Sequence, residues 1–154
     1  MALNPAVAAE VREWLHKAAE DIRTAEVSCA AEPPLLDAAA FHCQQVAEKA
    51  IKGFLTLHAR VFDKTHSIEK VGTLALAVDP TLRAAIDRAT PLTGYAWKFR
   101  YPGTPSEPSV AEVGDALADG LLYELRALHA VQGTAGPIDD RGLDHHEPEG
   151  LRAK

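Results

Sequence analysis

Between residues 5 and 31, Val7, Val11, Leu15, Ala18, Ile22, Ala25 and Cys29 recur at spacings of three and four, the period that lines one face of an α-helix. Asn4 and Pro5 supply its start, a capping residue followed by a proline whose missing N–H is not needed at the first helical position. Pro33 and Pro34 end it. A second helix is expected over residues 35–59, capped by Asp37. Its Ala40, Cys43, Ala47, Ala50, Phe54 and Leu57 share one face, with His42, Gln45, Lys49, Lys52 and Thr56 opposite. The link is short, so these two helices should pack antiparallel. Ser67 can cap a third helix carrying Ile68, Val71, Leu74 and Leu76, which stops near Asp79 and Pro80. Residues 81–90 and 92–100 read as two helical pieces broken at Pro91, and residues 101–108 hold enough proline and glycine to be a turn or loop. Ser109 and Glu112 form a capping box for a last helix reaching about residue 131. The fold class expected is therefore all-α: an antiparallel up-and-down bundle of four long helices plus a shorter or proline-broken one, over residues 1–132. Residues 133–154 turn polar and irregular and are expected to form a mobile tail.

Composition changes this picture little but excludes several functions. With 154 residues, 47% hydrophobic and 25% charged, the chain suits one domain with a real core. A net charge of −6 and a pI near 5.6 argue against broad binding to duplex nucleic acid, which needs several Lys and Arg to neutralise phosphates. No segment approaches 18 uninterrupted apolar residues, and the N-terminus lacks a basic region followed by an apolar run. A cytoplasmic protein with no membrane association is expected. Cys29 and Cys43 fall on apolar helix sides without metal-ligand spacing and read as small buried hydrophobes. His145 and His146, beside Asp144 and Glu147, lack a scaffold; neither a metal nor a cofactor is expected.

The most informative stretch is FHCQQVAEKAIKGFL, residues 41–55, which sets Gln44, Gln45, Glu48 and Lys49 inside an apolar helical pattern. Gln44, Glu48 and Lys52 stand at i, i+4 and i+8, so each can bond the next. Gln44 and Glu48 lie on the border of the apolar face, beside Phe41, Ile51 and Leu55, where polar groups need partners. His42, Gln45 and Lys49 form a neighbouring face that reads as solvated.

Four blocks in order carry a family resemblance: Trp14, Leu15, Lys17, Ala18 and Asp21; then F-H-x-Q-Q-x-A-E-K-A-x-K over residues 41–52; K-T-H-S-I over 64–68; and Y-A-x-x-x-R-Y-P-G over 95–103. The chain resembles the HEPN family across about 130 residues by this pattern. The resemblance implies a helical bundle, usually dimeric, often encoded beside a small nucleotidyltransferase in toxin–antitoxin or defence modules. Many members are metal-independent ribonucleases that carry an Arg, usually followed by Asn, Asp or His, and then a His four to six residues on. Arg60 and His66 have that spacing, but Val61 follows the arginine and the pair straddles a connection between helices. Arg12 with His16 and Arg126 with His129 are too close, and Arg141 with His146 falls in the tail. The motif is absent or degenerate, which favours a non-enzymatic role.

The expected function is thus a homodimeric binding or regulatory component with a nucleotidyltransferase partner and a nucleotide as a candidate ligand. A ribonuclease toxin acting on RNA and a purely structural helical oligomer are the alternatives. Candidate nucleotide or partner contacts are Gln44, Gln45, Glu48, Lys49, Lys52, His66, Tyr95, Arg100 and Tyr101, and the weak catalytic candidates are Arg60 and His66. Tyr95, Trp97, Arg100 and Tyr101 could stack on a base and hold a phosphate, or close the end of the bundle.

Overall fold

A computed structural model describes residues 4–99, 102–103 and 107–118. In chain order it contains α1 (Pro5–Ala30), α2 (Leu36–Leu57), α3 (Ile68–Leu76), a 3₁₀ turn (Pro80–Leu82), α4 (Arg83–Ala89), a second 3₁₀ segment (Thr90–Ala96) and α5 (Val110–Ala118). The all-α class holds. The two long helices have 26 and 22 residues, while α3 has 9 and α4 has 7. The part of the last helix beyond Ala118 and the expected tail lie outside the described residues.

Helix starts follow the local chemistry. Asn4 Oδ1 accepts the Ala6 N–H at 2.9 Å, with Pro5 at the first helical position. Ser67 Oγ accepts the Lys70 N–H. Ser109 and Glu112 close the capping box both ways, Ser109 N–H to Glu112 Oε2 at 2.7 Å and Glu112 N–H to Ser109 Oγ at 3.1 Å. Asp37 is not the cap of α2. That position falls to Leu35, which has no capping side-chain bond, and Asp37 stands inside the first turn, where its charge still answers the helix dipole. Beyond Pro91 the chain continues as 3₁₀ rather than α, since proline supplies no N–H and its ring crowds the preceding turn.

α2 is the central helix, packed against α1, α3, the second 3₁₀ segment and α5. This surrounding explains why α2 is buried almost continuously from Ala39 to Leu55. Ile51 and Leu55, which flank the polar ladder, are fully buried; Phe41 alone of that trio is half-buried. The buried residues of α1 are mostly small, Ala8, Ala18, Ala25 and Ser28 with Val11 and Asp21, whereas Leu15 and Ile22 of the periodic stripe are half-buried. Small residues let the helices approach closely. A Cβ at Gly53 would lie 3.2 Å from Trp14 Cβ, and one at Gly72 would lie 2.6 Å from Ile86 Cγ2 across the α3–α4 contact.

One core cluster joins Ile51, Phe54 and Leu55 to Ile68, Val71, Ile86 and Leu92; a smaller one joins Ala25, Ala39, Ala40, Cys43 and Val113. Tyr95 packs against both. Cys43 is buried as expected and Cys29 half-buried, both as free thiols. Burial, with a smaller contribution from nearby Cys29, pushes the Cys43 thiol up to about 12.

α2 ends in a Schellman turn: Ala59 N–H bonds the Thr56 carbonyl at 3.0 Å and Arg60 N–H the Leu55 carbonyl at 2.9 Å. The residue at the left-handed position is Ala59, with φ of 52°. From there the connection turns back over α1, and Phe62 meets Trp14 edge-on, ring centroids 6.1 Å apart.

Candidate functional site

The polar ladder of α2 faces inward and meets this connection. Gln44 is 0% exposed, Glu48 4% and Lys52 7%. Glu48 Oε1 accepts from Lys52 Nζ at 2.6 Å, and Glu48 Oε2 accepts from Gln44 Nε2 at 2.8 Å. The same Oε2 accepts from His66 Nδ1 at 3.1 Å. The flanking residues also hold main chain: Gln44 Nε2 donates to the His66 carbonyl at 3.1 Å and Lys52 Nζ to the Thr65 carbonyl at 3.0 Å. Gln45 Nε2 completes the chain by donating to Gln44 Oε1 at 2.7 Å.

Lys52 is unusual for a buried cation because its remaining faces are aromatic. Its Nζ lies 5.6 Å from the Trp14 ring centroid and 5.9 Å from that of Phe62. Carboxylate, carbonyl and two rings thus replace the water that burial removes. Burial pushes the Glu48 carboxyl up, but the bonds from Lys52 and Gln44, the Lys52 charge and the His66 bond outweigh it and hold it below the ordinary carboxylate range. Glu48 is therefore ionised at neutral pH, and the His66 nitrogen facing it carries a hydrogen.

A second cluster lies on the seam of α1 and α2. Buried Asp21 accepts from His42 Nδ1 at 2.8 Å through Oδ1 and from Lys49 Nζ through Oδ2. The face of His42, Gln45 and Lys49, expected to be solvated, is thus half-buried, with His42 and Lys49 tied to α1 and Gln45 to Gln44. Asp21 was not among the candidate site residues. Its signal is positional: an ionisable residue three after buried Ala18 and four before buried Ala25 lies on the apolar side of its helix.

Of the remaining candidates, Arg60 and His66 are exposed and lie on the connection between α2 and α3, not on a helix. His66 is held by Glu48. Tyr95 lies in the second 3₁₀ segment, tilted against Phe99 at 5.5 Å, and its hydroxyl is pushed up by burial and then by the charge of Glu112. Arg100 and Tyr101 lie outside the described residues, so their cluster with Tyr95 stays an expectation. Among the described residues no group of three or more His, Cys, Asp or Glu is placed to hold a metal ion, and no helix is long and apolar enough to cross a membrane.

These features define a class: an α-helical domain whose central helix carries an inward Gln–Glu–Lys ladder that grips the connection after it. The family model for the HEPN domain matches residues 11–122, which takes in α1 from its second turn, α2 through α5 and all four motif blocks. The chain belongs to the HEPN domain family. No curated protein and no solved structure matches it.

Proposed function

We propose that this chain is a binding and regulatory HEPN protein, a homodimer that works with a nucleotidyltransferase partner in a toxin–antitoxin or defence module and takes a nucleotide as ligand. One observation carries the reading: the polar residues of the signature are spent on each other and on the backbone at Thr65 and His66, which makes them a scaffold. Contact with a ligand or partner then falls first to exposed His66, with half-buried Gln45, Lys49 and Tyr95 beside the scaffold, and Arg100 and Tyr101 remain candidates outside the described residues. Exposed Val27, Leu35, Val61 and Trp97 supply apolar surface for protein contacts. The cytoplasm is the compartment that suits such a role and two free thiols.

The test is co-expression with the product of the adjacent reading frame. Co-purification with a nucleotidyltransferase and a dimer by sedimentation support the reading; a monomer that retains no partner overturns it. The ribonuclease alternative draws on the six-residue spacing of Arg60 and His66. RNA cut by the wild type and spared by a folded His66→Ala variant would establish that alternative, while absence of both partner and nucleotide binding in calorimetric titration with ATP would leave a structural oligomer.

A further inference from the structure

The signature's buried residues converge on one exposed side chain. The His66 side chain is 74% exposed, against 5% for that of the Glu48 it bonds. Three contacts fix it: the ring through Nδ1 to Glu48, its carbonyl through Gln44, and the preceding carbonyl of Thr65 through Lys52. Thr65 Oγ1 adds a fourth by accepting the Ser67 N–H at 3.1 Å. An exposed histidine that served merely to fill the surface would need none of this.

The consequence is a defined tautomer. An ionised Glu48 can only accept, so Nδ1 bears the hydrogen, and neutral His66 holds its free lone pair on Nε2. That atom faces away from Glu48. A neutral imidazole with an unprotonated, accessible nitrogen and a carboxylate behind it has the arrangement of an activated nucleophile. Arg60 and Lys64, both exposed on the same connection against the single carboxylate of Asp63 there, favour an anionic electrophile over a metal cation.

We propose that His66 is a phosphoryl-acceptor site for small anionic phosphoryl donors. The Nε2 lone pair forms a bond to phosphorus while the bond from phosphorus to the leaving group breaks, its electron pair departing with that group. No proton has to leave Nε2, because none is there. The positive charge that the ring acquires is shared with Nδ1–H and balanced by Glu48, a positioning residue that touches no donor. This goes beyond the proposed binding role and does not depend on the dimer or the nucleotidyltransferase.

The protein supplies its own comparators. His16 and His58 are also exposed, but His16 meets Glu20, itself half-exposed, through Nε2 at 3.5 Å, and the His58 ring lies against Phe54 at 4.5 Å. The full chain is incubated with phosphoramidate, and labelling of each histidine is followed by mass spectrometry and phosphorus NMR. His66 should be labelled first, and Glu48→Gln should slow it by roughly tenfold, the scale on which a working imidazole feels the loss of its carboxylate. Labelling led by any other histidine, or at one rate for all exposed ones, overturns the proposal. Should Glu48→Gln fail to fold, long-range ¹H–¹⁵N spectra of the wild type decide: hydrogen on Nδ1 of His66 supports the proposal, and hydrogen on Nε2 in the neutral ring overturns it.

Discussion

Glu48→Ala removes an acceptor shared by Lys52, Gln44 and His66, and the three donors do not suffer equally. His66 can turn to water, being exposed. Gln44 keeps its bond to the His66 carbonyl. Lys52 keeps the Thr65 carbonyl and the two rings, but its charge, with the side chain 9% exposed, loses its counterion. Breaking a buried ion pair on one side costs about 3–5 kcal/mol, and the contacts that Lys52 retains place the expected loss near the lower end, about 3 kcal/mol. Glu20→Ala is the control: its pair with Lys17 at 2.7 Å is exposed on both sides, and pairs of that kind contribute little to stability. Urea midpoints at neutral pH, read at a common slope, give both values. A third variant isolates the charge: adding Lys52→Met to Glu48→Ala should restore at least about 1 kcal/mol, since it removes the stranded ammonium and leaves an apolar chain between Trp14 and Phe62. The reasoning fails if Glu48→Ala costs no more than Glu20→Ala, or if the double variant is less stable than Glu48→Ala alone.

Gly72→Ala should destabilise by about 1–3 kcal/mol, because its Cβ would stand 2.6 Å from the branched Cγ2 of Ile86; an unchanged urea midpoint would show that α3 and α4 can part without cost. Ala59→Gly should stabilise by about 0.5–1 kcal/mol, relieving a Cβ at φ of 52° in the turn that ends α2, and a lower midpoint would refute this. The pH dependence follows from Glu48, whose folded pKa lies below its unfolded value of about 4.3. Its stabilisation is complete above that unfolded value and is lost as pH falls through the lower folded one. The stability gap between wild type and Glu48→Gln should therefore stay flat from neutral to about pH 5 and shrink below about pH 4. A gap that widened on acidification would reverse the sign and count against an ionised Glu48.

What could be read in the sequence was what repeats locally. Helix starts at Asn4, Ser67 and Ser109 depend on residues two or three positions away, and all three caps form. The Gln44–Glu48–Lys52 ladder is likewise local, with i to i+4 bonds that helix geometry alone makes available. Its depth was not legible, because burial of Ile51, Leu55 and the ladder follows from α2 being surrounded, a property of the whole bundle. Partners distant in sequence were missed for the same reason: His66 lies 18 residues from Glu48, and Lys49 lies 28 from Asp21. Asp37 was misplaced as a cap because the helix starts one residue before it, at Leu36.

Two buried carboxylates beside α2's centre share a pattern that sets their roles apart. Asp21 and Glu48 each take one lysine and one histidine Nδ1, yet Asp21 joins two helices already in contact, α1 and α2, while Glu48 joins a helix to a stretch without regular structure. Apolar side chains could replace the first with little loss of position, since small residues along the same seam already fix the approach of the helices. They could not replace the second. The carbonyls of Thr65 and His66 need donors wherever the connection is pressed against α2, and Lys52 and Gln44 meet them one turn on either side of Glu48. A buried ladder gains little stability over a hydrophobic one, but it binds the connection in one register, with the His66 backbone and ring both fixed.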